Sequence, residues 1–290
     1  MSRKDVPDLS KDHDGQTVLV RRVGQGVVRV ILNRPAVRNA FNAEMISELT
    51  EVIAELAATK DENQMRILVL EGAGGHFCAG ADLNYMREQA KAGEPQSLRD
   101  ARVLGTLFFR LASFPTTVVS LVRGSAIGGG FGLVCCSDVV IADSKTVFAT
   151  SEVRLGIVPG VISPYIVRKL GAGKAAPFML SGERLDSAQA LHLGLVNHVV
   201  DSADSNALSL KACEVVNQHL KAGPNAARRT KELLRKIHPL PDTGLFEFTA
   251  VSIALARCSA EGQHGLASFF DKQSPAWSAD LSSDTFGELK

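Results

Sequence analysis

A chain of 290 residues, 45% of them hydrophobic, is long enough for one large domain or two small ones and can supply a sizeable core. Thirty-two basic residues against 31 acidic ones leave a formal charge of +1, which argues against binding nucleic acid or a membrane surface by bulk electrostatics and leaves only a local basic patch open. Five cysteines without a CxxC pair suggest neither a disulfide framework nor a metal site, and they imply a reducing compartment.

Residues 1–16 form a polar lead, read as flexible. It has no apolar stretch of signal-peptide type, and Asp5, Asp8, Asp12 and Asp14 fit poorly with a transit peptide. Runs rich in β-branched residues at 17–20, 27–33, 66–71, 116–122 and 138–142 predict strands. Between the second and third runs, Met45, Ile46, Leu49, Val52, Ile53, Leu56 and Ala57 recur at helical spacing, which predicts a helix over 43–59 with Asn42 as its N-cap. The same logic places a helix over 98–112 before the fourth strand, an α/β pattern with helices outside. From about residue 187 the signal is mostly helical, at 187–193, 205–222, 224–237 and 244–258. The chain therefore divides into a core over 17–200, a helical region over 201–277 and a loose Ser- and Asp-rich tail over 278–290. No segment approaches the ~20 apolar residues of a spanning helix, and the default location is cytoplasmic.

Two glycine-rich stretches carry the chemistry. One runs from Gly75 through His76, Phe77, Cys78, Ala79, Gly80, Ala81 and Asp82 to Leu83. The other contains Gly128, Gly129, Gly130, Phe131 and Gly132. Glycine lets a backbone N–H approach a ligand without interference from a Cβ, and the N-terminus of a helix starting at 128–130 favours an anion. Two such turns facing one another would make a two-donor pocket for a developing oxyanion. Residues 72–77, Gly-Ala-Gly-Gly-His-Phe, nearly spell a dinucleotide fingerprint, but Phe77 holds the third glycine position, and residues 128–133 also fail the GxGxxG spacing.

These stretches resemble the two oxyanion-hole segments of the crotonase (enoyl-CoA hydratase/isomerase) superfamily. The resemblance implies a ββα spiral core with a C-terminal helical region that mediates trimerisation. It also implies oxyanion donors at the N–H groups of Ala81 and Gly129. Leu32 to Asn42 is similar to the segment lying beside coenzyme A, which makes Arg38 and Ala40 candidate contacts together with Ala79, Asp82, Leu83, Asn84 and Gly128. Residues 151–160, Ser-Glu-Val-Arg-Leu-Gly-Ile-Val-Pro-Gly, resemble the family's second catalytic segment and imply Glu152 as the acid/base. Many hydratases of the family carry a first Glu where this chain has Gly132. The continuation to Tyr165 resembles the methylglutaconyl-CoA and isohexenylglutaconyl-CoA hydratase group, in which that Glu is also missing.

The resemblance thus implies reversible hydration of a branched 2-enoyl-CoA by one carboxylate, without metal or other cofactor, in a trimer or dimer of trimers. Short-chain hydration, double-bond isomerisation, decarboxylation and a non-catalytic or RNA-binding role stay open. Simpler readings stand beside these. His76 is a base or a turn histidine; Tyr85 and Arg154 contact substrate or are packed side chains. Cys78, Cys135 and Cys136 read as small core residues. The basic stretch 228–236 reads as a solvated helix face.

Overall fold

The computed structural model describes residues 12–59 and 65–279. Ten strands and eleven α-helices are present among them. The first half contains β1 (His13–Asp14), β2 (Val18–Gly24), β3 (Val27–Leu32), α1 (Ala43–Ala58), β4 (Ile67–Gly72), α2 (Leu83–Lys91), α3 (Glu94–Ala112), β5 (Thr117–Val122), β6 (Ser125–Ile127), α4 (Gly129–Cys135), β7 (Val139–Asp143) and β8 (Val147–Ala149). The second half contains α5 (Ser163–Leu170), α6 (Ala172–Ser181), β9 (Arg184–Leu185), α7 (Ser187–Leu193), β10 (His198–Val200), α8 (Ala207–Leu220), α9 (Pro224–Ile237), α10 (Thr243–Cys258) and α11 (Ala260–Phe270).

Seven strands form one sheet in the order β1-β2-β3-β4-β5-β7-β10. The β1–β3 ribbon is antiparallel and the rest is parallel, as expected where helices connect the strands. A smaller sheet, β6-β8-β9, stands beside it. The large sheet is covered on both faces, which is why β4 reads as a continuous apolar run and does not alternate. One face packs against α1, whose Met45, Ile46, Leu49, Val52, Ile53 and Leu56 are all buried. Each such side chain contributes about 1.5–3 kcal/mol relative to exposure. The other face presents Val27, Ile67, Val69, Val119 and Ile141 to Leu208, Ala212 and Val215 of α8.

Asn42 caps α1 as the sequence predicts, accepting a hydrogen bond from Met45 N at 2.9 Å. Several details differ from the sequence expectations. The antiparallel ribbon reaches into the lead, with His13 opposite Val20 and Asp14 opposite Leu19; residues 1–11 of that lead, and 280–290 of the tail, lie outside the described residues. The helix predicted from 98 begins at Glu94, because Gly93 caps it and Pro95 suits its first turn. The basic stretch on α9 is not simply a solvated face. Lys231 is buried and donates to Thr116 O at 2.7 Å and Asp138 Oδ2 at 2.6 Å, Arg228 donates to Met65 O at 3.0 Å, and Arg235 donates to Ser113 O. These cations tie α9 to the edge of the core. No helix among the described residues is long and apolar enough to cross a membrane.

Candidate active site

The two glycine-rich stretches are brought together by short backbone pairings. Cys78 N donates to Ser125 O at 2.9 Å and Ile127 N to Cys78 O at 3.0 Å, so the first stretch runs beside β6. On its other side, Ala79 N donates to Arg38 O, Phe41 N to Gly80 O and Asp82 N to Phe41 O, at 2.7–3.0 Å. The segment around Arg38 and Ala40 is therefore laid directly along residues 79–82. The bends on both stretches use glycine where a side chain would be strained: Gly80 has φ 93° and Gly128 has φ 51°.

Gly129 and Gly130 are glycines for a different reason. A Cβ at Gly129 would lie 2.5 Å from Phe41 Cε2, and one at Gly130 would lie 2.6 Å from Cys78 O. Among the described residues, the N–H groups of Ala81 and Gly129 make no hydrogen bond, whereas Gly128 N donates to Ala149 O at 2.9 Å and Asp82 N to Phe41 O. An unpaired backbone donor is uncommon where a chain is partly buried, as at Gly129, whereas Ala81 is exposed. The two N–H groups stand at the two positions that the motif resemblance implies.

Strand β8 pairs with β6 in the register Ile127 to Ala149. Three residues past Ala149, a 3-10 turn over Glu152–Leu155 closes on Gly156 in the left-handed conformation. This arrangement brings Glu152 back to the glycine pair: a Cβ built at Gly128 would lie 3.3 Å from Glu152 Oε1 and 4.0 Å from Gly80 Cα. Glu152 Oε2 is buried and has no hydrogen-bond partner. Burial pushes the carboxyl up to about 7, against the smaller opposing effects of its own backbone N–H and of the Arg257 cation.

Gly132, one turn into α4, faces a filled space. A Cβ there would lie 2.5 Å from Ile162 Cγ2 and 2.8 Å from Phe108 Cε1. The place where a first carboxylate would stem is thus occupied by α3 and by the segment leading into α5. Glu152 is the carboxylate that stands beside Gly128.

The other expected contacts divide by what their side chains already do. Arg38 is exposed, and its backbone is left-handed with φ 55°. Ala40 is buried, whereas Ala81, Leu83 and Asn84 are exposed. Asp82 is committed to structure: its Oδ1 caps α2 through Asn84 N at 2.9 Å, and its Oδ2 accepts from Arg34 Nη2 at 3.1 Å. His76 Nδ1 lies 3.0 Å from Ser125 Oγ, and its pKa is lowered by desolvation and by the nearby Arg38 cation. Arg154 donates to Ser181 O at 3.0 Å and packs at the end of α6. Tyr85 is buried and donates its hydroxyl to Asp100.

Sequence reasoning misses the scaffold beneath these groups. Asn39 is fully buried, accepting from Arg34 N at 2.8 Å and donating to Ala73 O and His76 O at 2.9 and 2.7 Å. It also misses Asp100 and Arg257, which no local motif marks. The thiols of Cys78 and Cys135 are pushed up to about 12 by burial, in keeping with a packing role. No group of three or more His, Cys, Asp or Glu residues suited to a metal occurs among the described residues.

The residue pattern around the glycine-rich stretches and Glu152 is shared with a family of known proteins. Residues 22–280 match the family described as enoyl-CoA hydratase/isomerase. The chain belongs to this family. It is 32% identical over 257 residues to the 2,3-dehydroadipyl-CoA hydratase of Escherichia coli, covering 87% of this chain and 94% of that protein. It is 33% identical over 261 residues to the mouse (Mus musculus) enoyl-CoA hydratase domain-containing protein 2, mitochondrial, covering 87% of this chain and 84% of that protein. The crystal structure of an enoyl-CoA hydratase from Shewanella pealeana superposes with a TM-score of 0.72 at 38% identity, over 90% of this chain and 96% of the other. The mixed α/β architecture with its parallel-rich sheet is the crotonase fold.

Proposed function

We propose that this member of the enoyl-CoA hydratase/isomerase family reversibly adds water to a branched 2-enoyl-CoA such as 3-methylglutaconyl-CoA, using Glu152 as its only carboxylate. The observation that carries the reading is the buried, unpartnered Glu152 Oε2 beside the unused N–H groups of Ala81 and Gly129.

The thioester carbonyl oxygen accepts hydrogen bonds from these two N–H groups, which stabilise the negative charge it gains as C3 is attacked. Glu152 takes a proton from water while the water oxygen bonds to C3. The enolate is then reprotonated at C2 from Glu152, so that one water has been added across the double bond and the carboxylate is regenerated. A carboxyl with its pKa near 7 suits both transfers close to neutral pH. Arg38, Ala40, Ala79 and Leu83 line the approach for the CoA moiety. Asp82 and Asn84 shape the first turn of α2, and Gly128 gives way to the substrate between the two stretches. No metal or second cofactor enters this scheme. Assembly as a trimer or dimer of trimers and a cytoplasmic location belong to the same reading.

A single carboxylate also suffices for moving a double bond or for protonating an enolate after decarboxylation, so product analysis separates these reactions. Incubation with 3-methylglutaconyl-CoA and with crotonyl-CoA in water labelled with heavy oxygen should give a 3-hydroxyacyl-CoA carrying one label. An unlabelled isomer or a shortened acyl chain would replace hydration with one of the other reactions.

A further inference from the structure

Behind the catalytic pair lies a polar cluster that the hydration scheme does not use. Tyr85, one turn past Ala81 on α2, donates its hydroxyl to Asp100 on α3, and Arg257 Nη1 at the end of α10 donates to Asp100 Oδ2 at 2.8 Å. All three side chains are largely buried, with Tyr85 at 8% exposure, Asp100 at 8% and the Arg257 side chain at 13%. Burial raises the Asp100 pKa, and the Arg257 cation opposes that shift.

Two further polar atoms flank the cluster. Ser97 Oγ, one turn before Asp100, and Gln89 Oε1, one turn after Tyr85, are buried without hydrogen-bond partners. Buried polar atoms are nearly always satisfied, so these two orphans on the helices that carry Tyr85 and Asp100, together with Glu152 Oε2, which feels the Arg257 cation, call for polar partners.

Arg257 also stands in a defined place. It closes α10 immediately before α11, and α11 is pressed against the Glu152 turn: a Cβ at Gly265 would lie 2.2 Å from Leu155 O, and one at Gly156 would lie 2.7 Å from Glu261 O. On its other side Gln263 Nε2 reaches Ala90 O at 2.9 Å. The α10–α11 corner that carries Arg257 is thereby held between the carboxylate-bearing turn and α2, the helix that starts at the oxyanion segment. Of the five N–H donors of Arg257, the described residues engage one.

We propose that Arg257, held by Asp100 and Tyr85, receives a carboxylate at the far end of the acyl chain, so that the site selects 2-enoyl-CoA esters of dicarboxylic acids. Asp100 engages one N–H of the fork, and a second carboxylate on the remaining donors gains charge-assisted, two-point hydrogen bonds. The assignment rests on the reading of the pocket as a CoA-thioester site.

The test is calorimetric binding of glutaryl-CoA and valeryl-CoA to the wild-type protein and to Arg257→Gln, Arg257→Lys and Asp100→Asn. These esters have the same chain length, lack a double bond and differ in the terminal carboxylate. The wild-type protein should prefer glutaryl-CoA by about tenfold or more, the scale of one charged hydrogen-bond pair. Arg257→Gln should abolish that preference, and Arg257→Lys should keep part of it. Asp100→Asn frees the cation from its internal anion and should widen it, a result that reads the cluster even if Arg257→Gln does not fold. Equal binding of the two esters by the wild type, or a preference that survives Arg257→Gln, would overturn the assignment. An intact preference in a protein that hydrates neither 3-methylglutaconyl-CoA nor crotonyl-CoA would instead remove the hydratase reading and leave Arg257 as the receptor. Failure to bind either ester would remove both.

Discussion

Phe108 occupies the space that a side chain at Gly132 would need: a Cβ there would lie 2.8 Å from its Cε1 and 2.5 Å from Ile162 Cγ2. The absent first carboxylate is thus built into the packing of α3 and α4 against the start of α5. Restoring a Glu at this position should not create a two-carboxylate hydratase. Gly132→Ala should destabilise the protein by about 1–3 kcal/mol through overpacking, read as a lower denaturation midpoint in urea. Gly132→Glu should cost more and should not raise kcat. A stable Gly132→Glu protein with faster turnover would show that the space opens.

Glu152 links stability to pH. Its folded-state pKa of about 7 lies above the ordinary carboxylate value of 4.5, so the native chain binds the proton more tightly than the unfolded one. The corresponding stability is fully present below about pH 4.5 and is lost as pH rises through about 7. Glu152→Gln removes this dependence, and at pH 8 the variant should exceed the wild type by on the order of 2 kcal/mol. The check is a pair of urea titrations at pH 5 and pH 8. The same gain at both values would mean that the carboxyl is not desolvated in the native state.

Lys231 holds α9 to the core through Asp138 Oδ2 and Thr116 O. Lys231→Ala leaves the carbonyl of Thr116 without its donor and the carboxylate without its cation. Because Asp138 is 36% exposed, water recovers part of the loss, and the expected cost is about 1–3 kcal/mol. Lys231→Met, which keeps the aliphatic stem, should cost less than the alanine variant. Equal stability of all three proteins in guanidinium titrations would place α9 outside the cooperative core.

Thiol reactivity should separate the cysteines. Cys213 is exposed, whereas Cys78, Cys135 and Cys136 are buried, with pKa values raised by desolvation. An aromatic disulfide reagent at pH 8 should therefore modify Cys213 promptly and reach the other three at the rate of unfolding. Prompt modification of Cys78 would mean that the glycine-rich segment around it opens in the native state.

Much of this architecture is legible locally. The strands of the parallel sheet announce themselves by β-branched runs because they are buried on both faces, and α1 by a six-residue apolar stripe behind a capping Asn42. The glycine stretches and Glu152 are legible because their chemistry demands particular residues within a few positions of one another. Strands β6, β8 and β9, two or three residues each, are too short to show a period, although β6 and β8 set the register of the site. The Tyr85–Asp100–Arg257 cluster is invisible to any local reading, since Asp100 and Arg257 are 157 positions apart and meet only when α10 folds onto α3. Nor does Gly132 in the sequence disclose whether it leaves a gap or a filled contact; that depends on Phe108 and Ile162, which come from other elements.

The central claim is that one carboxylate carries the proton transfers. Turnover of 3-methylglutaconyl-CoA by wild-type and Glu152→Gln protein tests it most directly, with unchanged calorimetric binding of glutaryl-CoA as evidence that the variant is folded. The account predicts a fall in kcat of about 100-fold to 10,000-fold, the range for removal of a general acid/base. Turnover by the variant within a few-fold of wild type would contradict it.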